Sequence, residues 1–311
     1  MAQHLRLGLI GAGRWGRNYI RTIAALDGVA LTRVASRNPE TAQLVPPTCV
    51  VTADWRQVVD PALVDAVVVA TPPALHVPMA RAALAAGLPV LVEKPLTLDC
   101  AEAESLEELV ASRGGLVMVD HTHLFHPAYR KLKEIAPTFG TVRAVHSEAG
   151  NHGPFRRDTP VLWDWGAHDV AMCLDLIGSF PTGIAAAVRE QKRTPEGTGQ
   201  IIDLDLQFPA AASARIRIGN IMPKRRMFSV RLERGTLVYD DLAAAKLVRL
   251  ETGDNARAGT AIPVDGEPPL SCAVREFAAA ARAHRADTNS LALAVDVVRV
   301  LSACEQRLRP S

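Results

Sequence analysis

Residues 5–16 read LRLGLIGAGRWG, an apolar run that leads directly into three glycines. Gly11, Gly13 and Gly16 have the G-x-G-x-x-G spacing. The first glycine of this pattern permits a tight turn, the second lets the backbone approach a pyrophosphate, and the third lets the next helix pack closely on the strand. Residues 14–26 have helical periodicity, so a bound anion would face a helix N-terminus. We therefore predict a dinucleotide-binding turn here; the alternative is a glycine-rich turn without a ligand.

The same alternation of strand and helix continues to about residue 122. Further strands are predicted at 29–36, 64–71, 89–94 and 116–122, and helices at 37–45, 73–87 and 98–115. The run VDAVVVAT (64–71) is continuously apolar and β-branched, which is typical of a strand buried on both faces. Repeated βα units predict a parallel sheet and assign residues 1–122 to one domain.

The pattern changes after a predicted helix at 126–136. Short strands with alternating apolar and polar residues follow, and helices at 271–285 and 290–308 close the chain. This pattern predicts an α+β domain over 123–311 with a mostly antiparallel sheet. A sheet with few helices to cover it leaves an apolar face, so we expect a homodimer or homotetramer through this domain.

Composition narrows the class of protein. A chain of 311 residues with 48% hydrophobic and 22% charged residues predicts a soluble protein of two domains. The sequence has no basic stripe and no long apolar run, so we expect no nucleic-acid or membrane partner. Five cysteines without a C-x-x-C pair indicate reduced thiols and no metal site. The N-terminus runs straight into a strand, so we expect no signal peptide and a cytoplasmic location.

The end of the second predicted strand bears on the choice of cofactor. Dinucleotide-binding domains that use NAD commonly place an acidic residue there, but this chain has Ser36 and Arg37. Both side chains suit a 2′-phosphate, so we expect NADP to be preferred over NAD. Arg14 and Arg17 would lie near the phosphates. The alternative is that these are ordinary exposed arginines.

Three further motifs complete a recognisable set: ATPPALH (70–76), EKP (93–95) and DWGAH (164–168). With the glycine turn, they make the chain resemble the Gfo/Idh/MocA family over essentially its whole length. The resemblance implies a doubly wound Rossmann domain and an open-faced, mostly antiparallel sheet. It also implies NAD(P)-dependent oxidation or reduction of a secondary alcohol on a sugar-like substrate: a sugar, an inositol or a nucleotide sugar.

The resemblance also implies roles for single residues. It assigns catalysis to Lys94, Asp164 and His168, and it extends the cofactor contacts to Trp15, Thr71, Pro72, His76, Glu93 and Lys94. The commonest form of the family motif carries an aspartate three residues after the histidine. This chain has Ala171 at that position, and Asp169 directly follows the histidine. The form WDWGAHD is similar to that of members from nucleotide-sugar pathways.

The spacing of the candidate catalytic residues supports these roles independently. Asp164 and His168 are four residues apart and would share a helix face, while Lys94 would end a parallel strand, where ligands bind. We expect the three to converge near the nicotinamide C4 position, in the cleft between the domains. The alternative is that Asp164 caps the helix and His168 is a core histidine.

A polar substrate pocket is predicted from His121, Asn151, Arg156 and Trp163. Asn151 and Arg156 could instead belong to a surface loop, and Trp163 or its neighbour Trp165 could be a packing residue. The sequence leaves two other functions open. One is a non-catalytic dinucleotide-binding regulator, and the other is a glycoside-cleaving enzyme that begins with the same oxidation.

Overall fold

A computed structural model of the chain describes residues 4–195, 197–250, 259–284 and 288–309. The chain forms two compact units. The first comprises Met1–Thr122 and Pro268–Val295, and the second comprises His123–Glu267 and Asp296–Ser311. In the described residues, no helix combines the length and apolarity that a membrane span requires.

The first unit is built on a parallel sheet of six strands. They are β1 (Leu5–Ile10), β2 (Val29–Ala35), β3 (Val50–Thr52), β4 (Ala66–Val69), β5 (Val90–Glu93) and β6 (Val117–Asp120), in the order β3-β2-β1-β4-β5-β6. Every residue of β4, β5 and β6 is buried, because helices cover both faces of a doubly wound sheet. The order reverses between β1 and β4, and the carboxyl ends beside such a switch point form a ligand crevice.

Local signals in the sequence set the limits of the helices of this unit. They are α1 (Arg14–Ala24), α2 (His76–Ala85) and α3 (Cys100–Arg113). The Asp99 side chain caps α3 by accepting from the Glu102 N–H, and Gly114 ends the helix with a positive φ. The helix predicted at 37–45 is instead a 3₁₀ helix over Pro39–Leu44. Prolines follow it at 46 and 47, and the segment is too short to continue as an α-helix.

The second unit contains a mixed, mostly antiparallel sheet. Its strands are β7 (Val142–His152), β8 (Gly183–Thr194), β9 (Gly197–Gln207), β10 (Ser213–Gly219), β11 (Ile221–Leu232), β12 (Gly235–Asp240), β13 (Leu247–Leu250) and β14 (Thr260–Ala261). The order is β14-β13-β12-β11-β7-β10-β9-β8, and β7 and β10 pair in parallel. Helices α4 (Pro127–Ile135) and α5 (Val161–Ile177) belong to this unit, and α5 packs on β7, β9 and β10. These features confirm the predicted fold class.

The opposite side of the sheet is charged along β8 to β10. Ile216 and Ile218 are buried, while the alternating Arg217 forms an ion pair with Asp203 at 2.7 Å. Asp203 also pairs with Arg189, and a further pair joins β10 to β9. The expectation of an apolar outer face was therefore wrong for these strands, because their outward positions carry paired charges.

The last two helices are α6 (Pro269–Arg282) and α7 (Thr288–Leu308). The sequence pattern predicts that both belong to the second domain, but residues 268–295 lie in the first unit. Helix α6 buries a face that includes Phe277 and packs on α1, and the Arg282 guanidinium donates to the Gly28 carbonyl. At the start of α7, the Ser290 hydroxyl accepts from the Val119 N–H at 3.0 Å.

Candidate active site and cofactor pocket

The turn between β1 and α1 contains three glycines, and two of them have no space for a side chain. Gly11 has φ +99°, and a Cβ there would lie 2.5 Å from the Ala70 carbonyl oxygen. A Cβ at Gly16 would overlap the Gly11 carbonyl oxygen. The turn therefore brings α1 directly against the end of β1, as a dinucleotide fingerprint requires.

The middle glycine opens on a cavity. Gly13 is the N-cap residue of α1, and a Cβ at this position would meet no atom within 4 Å. The cavity beside it has a volume of about 1130 Å³ and is formed by the turn and by the ends of β1, β2 and β4. A dinucleotide fits a cavity of this size, and its pyrophosphate would face the unpaired N–H groups of α1.

The charged residues that line this cavity are all cations. They are Arg14, Arg17, Arg21 and Arg37, while the described lining contains no acidic side chain. Ser36, directly after β2, accepts a hydrogen bond from the Asn38 N–H at 3.1 Å and also lines the cavity. The lining thus fits a dinucleotide with several phosphates.

The predicted cofactor residues fall into two groups. Those that line the cavity are Gly11, Gly13, Arg14, Ser36, Arg37, Thr71 and Pro72. Those outside its lining are Trp15, Gly16, His76, Glu93 and Lys94. His76 is buried, with Nδ1 2.8 Å from the Pro95 oxygen and Nε2 2.8 Å from the Thr71 oxygen. It therefore ties the loop after β4 to the loop after β5.

The end of β5 carries two buried ionisable residues, Glu93 and Lys94, which are 4% and 6% exposed. Glu93 lies opposite Asp120, the last residue of β6, in the register of the sheet. Tyr19 of α1 donates from its hydroxyl to Asp120 Oδ2 at 2.5 Å. Neither Tyr19 nor Asp120 was predicted as a site residue. The sequence carries no signal for them except that polar residues follow β6.

His121 directly follows this strand and is also buried. Burial and the nearby charge of Lys94 lower the pKa of His121 to about 3, so the ring is neutral at physiological pH. Neither ring nitrogen has a hydrogen-bond partner within the described residues. Since buried polar groups are normally paired, this ring is suited to a hydrogen bond with a neutral ligand group.

In the second unit, α5 presents the other two candidate catalytic residues. The N-cap of α5 is Pro160, so Asp164 lies inside the first turn and does not cap the helix. Asp164 Oδ1 accepts from Arg156 Nη1 at 3.2 Å, and Arg156 also pairs with Asp158. Arg156, predicted as a substrate contact, thus holds a candidate catalytic carboxylate. The convergence of Asp164 and His168 with Lys94 stays a prediction.

His168 belongs to a group of aromatic rings that was not predicted. It is buried, and its ring meets the His123 ring edge to face with centroids 4.9 Å apart. His123 Nδ1 lies 3.1 Å from the Tyr239 hydroxyl, whose pKa is raised by burial. In the described ranges, no group of three or more His, Cys, Asp or Glu side chains could hold a metal ion.

The two tryptophans of α5 differ. Trp163 is 1% exposed, and its indole N–H donates to Glu305 at 3.1 Å. The structure therefore gives Trp163 a packing role instead of the predicted substrate contact. Trp165 is half-buried beneath the Arg226 guanidinium. Asn151 is half-buried near the end of β7.

Comparison with known proteins identifies the group of proteins to which the chain is related. The sequence model of the oxidoreductase family with an NAD-binding Rossmann fold, GFO_IDH_MocA, matches residues 5–121. A crystal structure from Magnetospirillum magnetotacticum MS-1, of a protein designated only as an oxidoreductase, is 48% identical with a TM-score of 0.91. The match covers 97% of this chain and 100% of that one. The chain belongs to the Gfo/Idh/MocA family of NAD-binding oxidoreductases.

Two curated relatives are named for action on sugar-like compounds. UDP-N-acetylglucosamine 3-dehydrogenase of Acidithiobacillus ferrooxidans is 33% identical over 59% of this chain and 58% of its own length. Inositol 2-dehydrogenase 4 of Saccharopolyspora erythraea is 32% identical over 68% of this chain and 64% of its own length. The chain thus spans less than two thirds of either relative.

The departure from the common Gfo/Idh/MocA motif has a structural counterpart. Ala171 is fully buried in α5. Asp169 is buried as well, accepts from the Ser147 hydroxyl at 2.5 Å, and lies 3.6 Å from Arg226. Asp169 therefore anchors α5 to the sheet.

Proposed function

We propose that this protein interconverts a secondary alcohol and a ketone on a sugar, an inositol or a nucleotide sugar. The observation that carries the proposal is the cationic cavity at the glycine turn, in the same unit as a buried lysine at the end of β5. A bound nicotinamide dinucleotide would exchange a hydride with the carbinol carbon. The names of the curated relatives support the substrate class.

The chain's own residues would manage the hydroxyl proton and the charge on oxygen. His168 would take the proton as the alcohol is oxidised, since imidazole exchanges protons near neutral pH. Lys94 would stabilise the negative charge that develops on the oxygen. Neutral His121 would bond to a substrate hydroxyl or carbonyl, and Arg156 would hold the Asp164 carboxylate in place.

The test is a screen of nucleotide sugars, free sugars and inositols, each with NADP and with NAD. Nicotinamide absorbance measures turnover, and product analysis identifies the compound that is formed. The expected product is a carbonyl on an intact ring, with one cofactor reduced per molecule oxidised. A new reducing end would indicate glycoside cleavage instead. Tight cofactor binding with no turnover across the panel would count against the proposed substrate class.

Replacing Arg37 by alanine tests the expected preference for NADP. The lost charge-assisted hydrogen bond to the 2′-phosphate should weaken NADP binding roughly 10- to 100-fold and leave NAD binding nearly unchanged. Fluorescence titration with both cofactors measures the effect. The exposed Arg113→Ala, at the end of α3, serves as the matched control. An unchanged preference in Arg37→Ala would remove the role assigned to this arginine.

We also propose that the protein is a homodimer or homotetramer joined through the sheet of the second unit. The exposed Arg215 and Arg217 form ion pairs with acidic residues of β9, so this face carries charges of both signs. The same face of a second copy would contact it through charges of opposite sign. Light scattering at micromolar concentration should give a mass of two or four chains. A monomer under these conditions would contradict the proposal. A cytoplasmic location also stays a prediction, and the absence of a disulfide among the five cysteines, all of them described, is consistent with it.

A further inference from the structure

Two buried carboxyl groups lie side by side beneath Lys94. Glu93 and Asp120 occupy paired positions on the neighbouring parallel strands β5 and β6, so their side chains point to the same side of the sheet. They are 4% and 0% exposed. Bulk water therefore screens their charges only weakly.

The hydrogen bonds available to this pair are too few for two ionised carboxylates. Tyr19 has one hydroxyl proton and contacts both groups, donating to Asp120 Oδ2. The Lys94 N–H donates to Glu93 Oε2 at 3.1 Å. Glu93 Oε1 and Asp120 Oδ1 have no partner among the described residues.

The charges also fail to balance if both acids are ionised. Lys94 is the cation that acts on both groups, and neighbouring His121 is neutral. Two carboxylates in a shared buried site cannot both ionise cheaply, because like charges repel and burial removes their hydration. Burial and the facing Asp120 raise the pKa of Glu93 to about 8, and burial raises the pKa of Asp120 to about 6.

We propose that Glu93 and Asp120 share a single proton at neutral pH and together form a monovalent counter-ion that keeps Lys94 protonated and in position. The inference rests on the proposed function for the importance of Lys94 to turnover, but the shared proton itself does not. The Tyr19 hydroxyl donates to Asp120 and also contacts Glu93, so it bridges the two carboxyl groups. Glu93, Asp120 and Tyr19 are therefore positioning residues, and Lys94 acts as a fixed cation and not as the base.

Infrared spectroscopy of the protein without substrate or cofactor tests the shared proton. The wild type at pH 7 should absorb as a protonated carboxylic acid, and this band should disappear with a midpoint near pH 8. Glu93→Gln and Asp120→Asn should each remove the band at pH 7, because the remaining acid no longer faces a second charge. Exposed Glu108→Gln on α3 should keep it. A wild type without the band at pH 7 overturns the inference, whether or not either variant folds.

Nitrogen NMR of lysine-labelled protein tests the counter-ion, with the Lys94 signal assigned through Lys94→Arg. The double variant Glu93→Gln/Asp120→Asn removes the single negative charge of the pair, so it should move the deprotonation of Lys94 down by roughly 1–3 pH units. Each single variant keeps one carboxylate and should leave the deprotonation of Lys94 nearly unchanged. Unchanged Lys94 titration in the double variant overturns the counter-ion role. Neither readout uses turnover, so a failure of the proposed substrate class would leave both results interpretable.

Discussion

His168→Ala is expected to lower kcat by roughly 10²–10⁴-fold, the usual contribution of a general acid–base group. Cofactor affinity should barely change, because the cavity that fits the dinucleotide is formed by residues 10–79. Stopped-flow absorbance gives kcat, and fluorescence titration gives the cofactor Kd. Circular dichroism checks that the variant is folded, since His168 is buried against His123.

A matched control is His146→Ala, which removes an imidazole that is 48% exposed on β7. It should retain nearly full turnover. A folded His168→Ala protein with near-wild-type turnover would show that His168 is a core residue. Lys94 would then be the remaining candidate for the base, against the fixed-cation role inferred from its counter-ion.

Lys94→Ala should reduce kcat by a similar factor, roughly 10²–10³-fold, because a charge aimed at a developing alkoxide acts mainly in the transition state. The effect on KM should be small, since the neutral hydroxyl of the ground state interacts weakly with the ammonium group. Steady-state kinetics over a range of substrate concentrations separates the two parameters.

Lys131→Ala, at a partly exposed lysine of α4, controls for the general loss of a positive charge. Lys94→Arg adds a second comparison, because it keeps the charge but changes the position of the donors. If Lys94→Ala raised only KM, Lys94 would be a binding residue. A wild-type kcat would remove it from the mechanism.

Local sequence signals predicted much of the first unit because the physical constraints there act over short distances. Gly11 and Gly16 have no room for a Cβ, and the continuous β-branched run at β4 is buried on both faces. Strands β3, β13 and β14 were not predicted, since three, four and two residues are too few to show a period of two.

The interactions that could not be predicted join residues far apart in the chain. Tyr19 meets Asp120 across 101 positions, and Trp163 reaches Glu305 across 142. Neither pair leaves a periodic pattern in the sequence. The sequence also could not predict that α6 packs in the first unit, because an amphipathic helix does not specify which apolar surface it will cover.

Isotope transfer tests the central claim most directly. A substrate from the screen, deuterated at the carbinol carbon, is oxidised with NADP, and mass spectrometry measures deuterium in the recovered cofactor. The account predicts one deuterium per reduced nicotinamide and a lower kcat for the deuterated substrate if chemistry limits the rate. It also predicts that the transfer is roughly 10²–10⁴-fold slower in His168→Ala and roughly 10²–10³-fold slower in Lys94→Ala. Turnover that leaves no deuterium in the cofactor would contradict it.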